Sequence, residues 1–244
     1  EIHERLVGSE MCIRDRSQII IRKYGEKWAM TEILASELFC GIDEKAAEDI
    51  IGELGAYERE YAPGERIFSD GDKTTAAGIV ISGIVCIENV DFRGNTNLIA
   101  RLGRGDIFGE AFAAASVPMR VDVTAAEQSR ILFVPVNGLF LSSELPLMGR
   151  MRENFIRLLA EKNVMLSAKL ECISKRTVRE KVMTFLSMQA ARGREFDIPF
   201  DRQQMADYLC TDRSALSAEL SRLKKEGIID FRKNHFVLMD AENK

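Results

Sequence analysis

The chain has 244 residues, enough for one large or two ordinary domains, and 46% of them are hydrophobic, enough for packed cores. No apolar run approaches the length that spans a bilayer, and the N-terminus lacks the charged-then-apolar plan of a secretory signal, so a cytoplasmic protein with no membrane partner is expected. The net charge of -4 divides unevenly: residues 171–244 carry 14 Lys+Arg against 12 Asp+Glu and the remainder 20 against 26, leaving the C-terminal part slightly basic and the rest acidic.

Residues 1–16, EIHERLVGSEMCIRDR, show no convincing period, and VGSEMCIRDR resembles translated sequencing-adaptor read-through. Residues 1–29 are therefore expected to be a non-native or unstructured tail, with Met30 a candidate start and MTEILASELFCGI the opening helix of a domain; the other reading is a genuine N-terminal extension. Over residues 57–136 the pattern turns strand-like. Short apolar runs are divided by Gly64, Gly71, Gly83, Gly94, Gly105 and Gly109, which predicts many short strands and tight turns in a barrel, jelly roll or sandwich. Residues 91–95 read as the loop of a hairpin. GDIFGEAFAAAS then sets a glycine and an acid before a short alanine-rich helix, whose first backbone N–H groups would form an anion-friendly nest.

Farther on, Ile156, Leu159, Asn163, Leu166, Leu170 and Ile173 step by three and four as an a/d heptad seam. Paired in parallel, such a helix forms a two-stranded coiled coil, with Asn163 at an a position where a polar side chain fixes register and dimer state. The other reading packs this face on the chain's own β domain. Residues 173–177 are the expected hinge. Residues 201–227, DRQQMADYLCTDRSALSAELSRLKKEG, then read as two short helices with a tight turn between them. Asp201 and Gln204 have capping-box spacing, Met205, Tyr208 and Leu209 give the first helix a buried face, and Thr211 or Asp212 can cap the second. Leu216, Leu220 and Leu223 recur at helical spacing, which turns Arg213, Ser214, Ser217, Ala218 and Arg222 to the opposite face or its margins, where a DNA groove would meet them. Gly227 suits a left-handed C-cap, and IIDF and HFVLM flank Arg232, Lys233 and Asn234 as a small hairpin, the wing of a winged helix. Two amphipathic helices alone could belong to any helical domain; the wing and the upstream order separate the readings.

In that order, GDIFGEAF, VTAAEQSRILFV, the long helix, ISKRTVREKVMTFL and the helix-turn-helix resemble the cyclic-AMP receptor and fumarate-nitrate regulator (Crp/Fnr) family of bacterial transcription factors, from about Thr31 to Asp240. The resemblance implies an α+β chain with a cyclic-nucleotide-binding-like β-roll (jelly roll) at 30–145, a long dimerisation helix at 146–173 and a winged helix-turn-helix at 174–244. It implies a homodimer that senses a small-molecule effector and reads a pseudo-palindromic operator in double-stranded DNA, with RNA polymerase a further candidate partner. The candidate DNA contacts are Arg202, Gln203, Thr211, Arg213, Ser214, Ser217, Arg222 and Lys233, with Arg213 the principal base reader.

In cyclic-AMP-binding members a Gly-Glu pair holds the ribose and an Arg-Ser pair the cyclic phosphate. Gly109 and Glu110 match the first pair, but Arg120 is followed by Val121, and the long helix carries Val164 and Met165 where adenine would want hydroxyls. A buried base would leave polar edges unpaired at about 1 to 3 kcal/mol each. The expected effector site, Phe108, Gly109, Glu110, Ala111, Phe112, Arg120, Val121 and Met165, with Met119 as a further lining residue, is thus small and apolar. A cyclic-AMP-responsive regulator is the alternative.

No cofactor is expected. Cys12, Cys40, Cys86, Cys172 and Cys210 are scattered singly, unlike the close pairs that hold zinc or an iron-sulfur cluster, and read as reduced structural thiols. His3 and His235 are the only histidines, so a cupin-type metal enzyme with an appended reader lacks its usual ligands and a haem sensor its axial one. No nucleophile elbow or phosphate loop appears, and no enzyme is expected.

Overall fold

The glycines that punctuate the strand-like region do so by conformation: Gly64, Gly71, Gly83, Gly105 and Gly109 all have φ between 74° and 91°, where side-chain-bearing residues are strained. Gly83 is also crowded, since a β-carbon there would meet Ser129 Oγ at 2.3 Å. The computed structural model describes residues 30–90 and 96–239. The tail with Cys12 and His3, the hairpin loop at 91–95 with Gly94, and residues 240–244 lie outside them.

Two compact units divide at Leu159/Ala160. The first is an antiparallel β-roll. One sheet has the order β1-β8-β3-β6, from β1 (Tyr57–Tyr61), β3 (Ala76–Ser82), β6 (Ile107–Phe108) and β8 (Ser129–Pro135); the other has the order β2-β7-β4-β5, from β2 (Arg66–Phe68), β4 (Val85–Val90), β5 (Thr96–Leu102) and β7 (Asp122–Ala125). β4 and β5 pair as the expected hairpin. Strand β3 is apolar on both faces for a reason visible in its neighbours. Ala76 and Val80 join Val85, Phe108, Val123, Ile131 and Phe133 in one core, whereas Ala77, Ile79 and Ile81 join Leu132 and Val134 in a second core built with helices. Those helices are α1 (Met30–Ile33), α2 (Glu44–Leu54) and the N-terminal turns of α4 (Met148–Ile173), which contribute Met148, Met151, Phe155 and Leu158. The Asp43 carboxylate caps α2 by accepting the Ala46 N–H at 3.0 Å. Between β6 and β7 lies the short α3 (Glu110–Ala115).

The second unit gathers the C-terminal turns of α4, α5 (Val178–Gln189), α6 (Arg202–Tyr208), α7 (Arg213–Lys225) and a sheet ordered β10-β11-β9, from β9 (Glu195–Asp197), β10 (Ile229–Arg232) and β11 (His235–Leu238). Its core runs from Cys172 through Val182, Phe185 and Leu186 to Met205, Leu209, Leu216, Leu220, Leu223 and Phe236. Thr177 opens α5 with a capping box to Glu180, a few residues after α4 ends at Ile173. No helix among the described residues is long and apolar enough to cross a membrane.

Candidate nucleic-acid interface and effector site

The α6–α7 pair is held as its sequence demands. Asp201 and Gln204 form the capping box of α6. Asp212, not Thr211, caps α7 by accepting the N–H groups of Ser214 and Ala215. Lys181 donates from α5 to the carbonyls of Leu209 and Cys210, both at 3.1 Å, and so satisfies the C-terminal carbonyls of α6. At the far end of α7, Gly227 turns left-handed at φ 71°, and the Ile228 N–H reaches Leu223 O at 3.0 Å to close the helix.

With Leu216, Leu220 and Leu223 buried, α7 leaves Arg213, Ser214, Ala218 and Arg222 exposed and Ser217 half-exposed. Arg222 is anchored to Glu219 at 2.8 Å, and Glu219, 7% exposed, faces Arg179 of α5 at 3.5 Å. Arg179 also forks onto Glu226, a bond that raises its already high pKa. The four side chains tie α5 to α7. None of them but Arg222 stands out in sequence, although a glutamate inside the leucine stripe at position 219 is the signal that marks the network.

The wing is built around an aromatic ladder. Phe231, Phe236 and Phe196 are cross-strand partners on one face, stacked at 5.6 and 6.3 Å between ring centroids. Arg202, at the start of α6, lays its guanidinium over Phe231 and Phe236, 5.1 and 5.6 Å from the ring centres, and donates to Lys233 O at 3.0 Å. Burial lowers its pKa. Arg202 therefore pins the wing turn in this structure. Lys233, at φ 58° in that turn, stays exposed, and Gln203 is exposed with its amide on Asp207 at 2.8 Å. Thr211 is half-buried. On the opposite face of the wing, His235 sits between Asp197 and Glu195, its two ring nitrogens each 3.1 Å from a carboxylate oxygen.

In the β-roll, Phe108 is buried over Gly78, and Phe68 meets both Phe108 and Phe133 edge-on at 6.2 and 5.9 Å. Tyr57 and Tyr61 pack on Phe133 as well, and burial pushes the Tyr61 phenol up to about 12. Gly109 takes φ 74° at the entry to α3, Glu110 is buried, Ala111 exposed and Phe112 half-buried. The segment after α3 is laced to the turn at residues 69–73 by Met119 N–H to Asp72 O at 2.8 Å and Gly71 N–H to Met119 O at 2.9 Å. Its side chains alternate: Met119 in, Arg120 out, Val121 half-buried against the inner core. That alternation leaves Arg120 exposed to solvent. Met165 is on α4 and 69% exposed.

Along the seam, Ile156, Asn163, Leu166 and Leu170 are exposed and Leu159 and Ile173 half-buried. The turns of α4 that pack on the β-roll bury Met148, Met151, Phe155 and Leu158, and of the seam residues Leu159 also packs against that core.

Two family models match. Residues 58–140 match the cyclic nucleotide-binding domain and residues 180–243 the Crp-like helix-turn-helix domain. The transcriptional activator protein FnrL of Cereibacter sphaeroides is 27% identical over 200 residues, covering 75% of this chain and 77% of that protein. The cyclic AMP receptor protein of Thermus thermophilus is 27% identical over 80% of this chain and 88% of its own. The crystal structure of the Thermus thermophilus catabolite activator protein superposes with a TM-score of 0.51 at 24% identity, covering 84% and 95% of the two chains, a likeness of fold.

Proposed function

The chain belongs to the Crp/Fnr family of DNA-binding transcription regulators, and from that premise we propose a homodimer that reads a two-fold symmetric operator with α7 and responds to a small, largely apolar effector in the β-roll. The observation that carries the reading is the row Arg213, Ser214 and Arg222, exposed, with Ser217 half-exposed, on a helix whose other face is fixed in the core. Dimerisation is supported by the a/d seam of α4, whose exposed Ile156, Leu166 and Leu170 a single chain has no use for. Working on DNA puts the protein in the cytoplasm. RNA polymerase contact accompanies this role in the same reading, and no catalytic group or cofactor is assigned.

The effector class follows from the filled interior. Phe108, Phe133 and Met119 are buried in one packed cluster with Phe68, whose ring would lie 3.7 Å from a β-carbon on Gly109, and Arg120 is exposed, so a cyclic phosphate has no buried guanidinium to meet. A small apolar or weakly acidic molecule fits better, with Arg120 at the rim for an anionic group. Selection of bound duplexes from a random pool, with and without cell extract as effector source, tests the function. An enriched palindrome whose recovery changes with extract is expected; no enrichment under either condition contradicts it. Calorimetry with cyclic AMP and cyclic GMP tests the effector class: micromolar binding lost on Arg120→Ala or Glu110→Ala would restore a nucleotide sensor.

A further inference from the structure

At the first turn of α7 one carboxylate oxygen serves three donors. Asp212 Oδ1 accepts the backbone N–H of Ser214 at 2.8 Å and of Ala215 at 3.3 Å, and the Ser214 hydroxyl donates to the same oxygen. A serine hydroxyl has one proton. With that proton committed to Asp212, Ser214 Oγ has only lone pairs left for an outside partner. Ser214 is exposed beside the exposed Arg213, on the turn of a recognition helix that meets base edges.

We propose that Asp212 makes Ser214 an acceptor-only reader, so that the base facing Ser214 in the major groove must offer an amino group, N4 of cytosine or N6 of adenine. Thymine presents O4 at that edge, and guanine N7 and O6, each setting lone pair against lone pair. A phosphate oxygen is refused for the same reason, with the Asp212 charge adding repulsion. Ser214 therefore adds sequence discrimination and no backbone grip. The three bonds, the Ser214 hydroxyl's first, hold the Asp212 carboxyl below the usual carboxylate range, so the lock is set at neutral pH. Asp212 is a positioning residue here, acting through Ser214. The inference rests on α7 being the helix that enters the groove.

The test is selection and sequencing of bound half-sites by the full-length wild type and by Ser214→Ala, Asp212→Ala and Asp212→Asn, with far-UV circular dichroism to show that each variant is folded. The wild type is expected to demand cytosine or adenine at one position, by roughly three- to tenfold over thymine and guanine, the worth of a single groove hydrogen bond. Ser214→Ala, which leaves the Asp212 cap in place, flattens that position alone. Asp212→Ala frees the hydroxyl to donate and admits thymine or guanine there, whereas the Asp212→Asn amide oxygen still accepts and keeps the wild-type preference. An Asp212→Ala profile that matches the wild type, or one that weakens all positions equally, overturns the proposal. A wild type with no preferred sequence would instead bring down the DNA-reading assignment, and this inference with it.

Discussion

The ring of Phe108 lies flat against Gly78: a β-carbon built on Gly78 would come within 2.4 Å of Phe108 Cζ. The two residues are antiparallel partners in β3 and β6, and both face the inside of the roll. The absent side chain at 78 is what lets an aromatic ring fill the interior beside the Gly109–Glu110 turn. Gly78→Ala should therefore overpack the core and destabilise the protein by about 1 to 3 kcal/mol. The denaturation midpoint measures it, and adding Phe108→Leu should recover part of the loss, because the smaller side chain leaves room for the methyl group.

Arg213 stands exposed at the N-terminal turn of α7, where a guanidinium can fork onto the O6 and N7 of guanine. Arg213→Ala should cost about 1 to 3 kcal/mol on the preferred operator and little on random duplex. Fluorescence anisotropy on both duplexes measures the difference. Equal losses would mean that Arg213 holds phosphate.

Asn163 sits in the exposed a/d seam between Leu159 and Leu166. Changing it to Leu should keep or tighten association while loosening dimer specificity, because a polar a residue exchanges stability for register. Sedimentation equilibrium should show a wild-type dimer and a variant that also populates higher species. A wild-type monomer at micromolar concentration would sink the coiled-coil reading.

His235 bridges Asp197 and Glu195 through both ring nitrogens, which can both donate only when the imidazole is protonated. The bond to Asp197 chiefly, then that to Glu195, raises its pKa above 6.5, and Arg232 is its cross-strand partner on the other side. A raised folded-state pKa means stabilisation that is full below the unfolded value and lost as pH rises through the folded one. The melting temperature of the wild type should exceed that of His235→Asn at about pH 5.5 and converge on it by about pH 8.5. A gap independent of pH would show that the imidazole acts by packing alone.

Much of this architecture was legible because local chemistry and tertiary role coincide. The glycines at 64, 71, 83, 105 and 109 do take left-handed turns, the Asp201–Gln204 box does open α6, and Leu216, Leu220 and Leu223 do form the buried stripe of α7. Other features depend on partners distant in sequence. Nothing local tells that Glu219 meets Arg179 forty residues earlier, or that Arg202 bends onto Phe231 and Phe236 to brace the wing. Strand β9 is three residues long, too short for its period to register, and exists because β11 offers it an edge. The Ser214 hydroxyl, a candidate DNA contact in the sequence, is committed to Asp212 by a geometry that only the folded turn reveals.

The central claim is that two copies of α7 read DNA together. Hydroxyl-radical footprinting of the full-length protein on its selected operator tests it most directly. Two equivalent protected segments related by a two-fold axis, their centres about one helical turn (about 34 Å) apart, are predicted. A single asymmetric footprint, or uniform protection along the duplex, would contradict it.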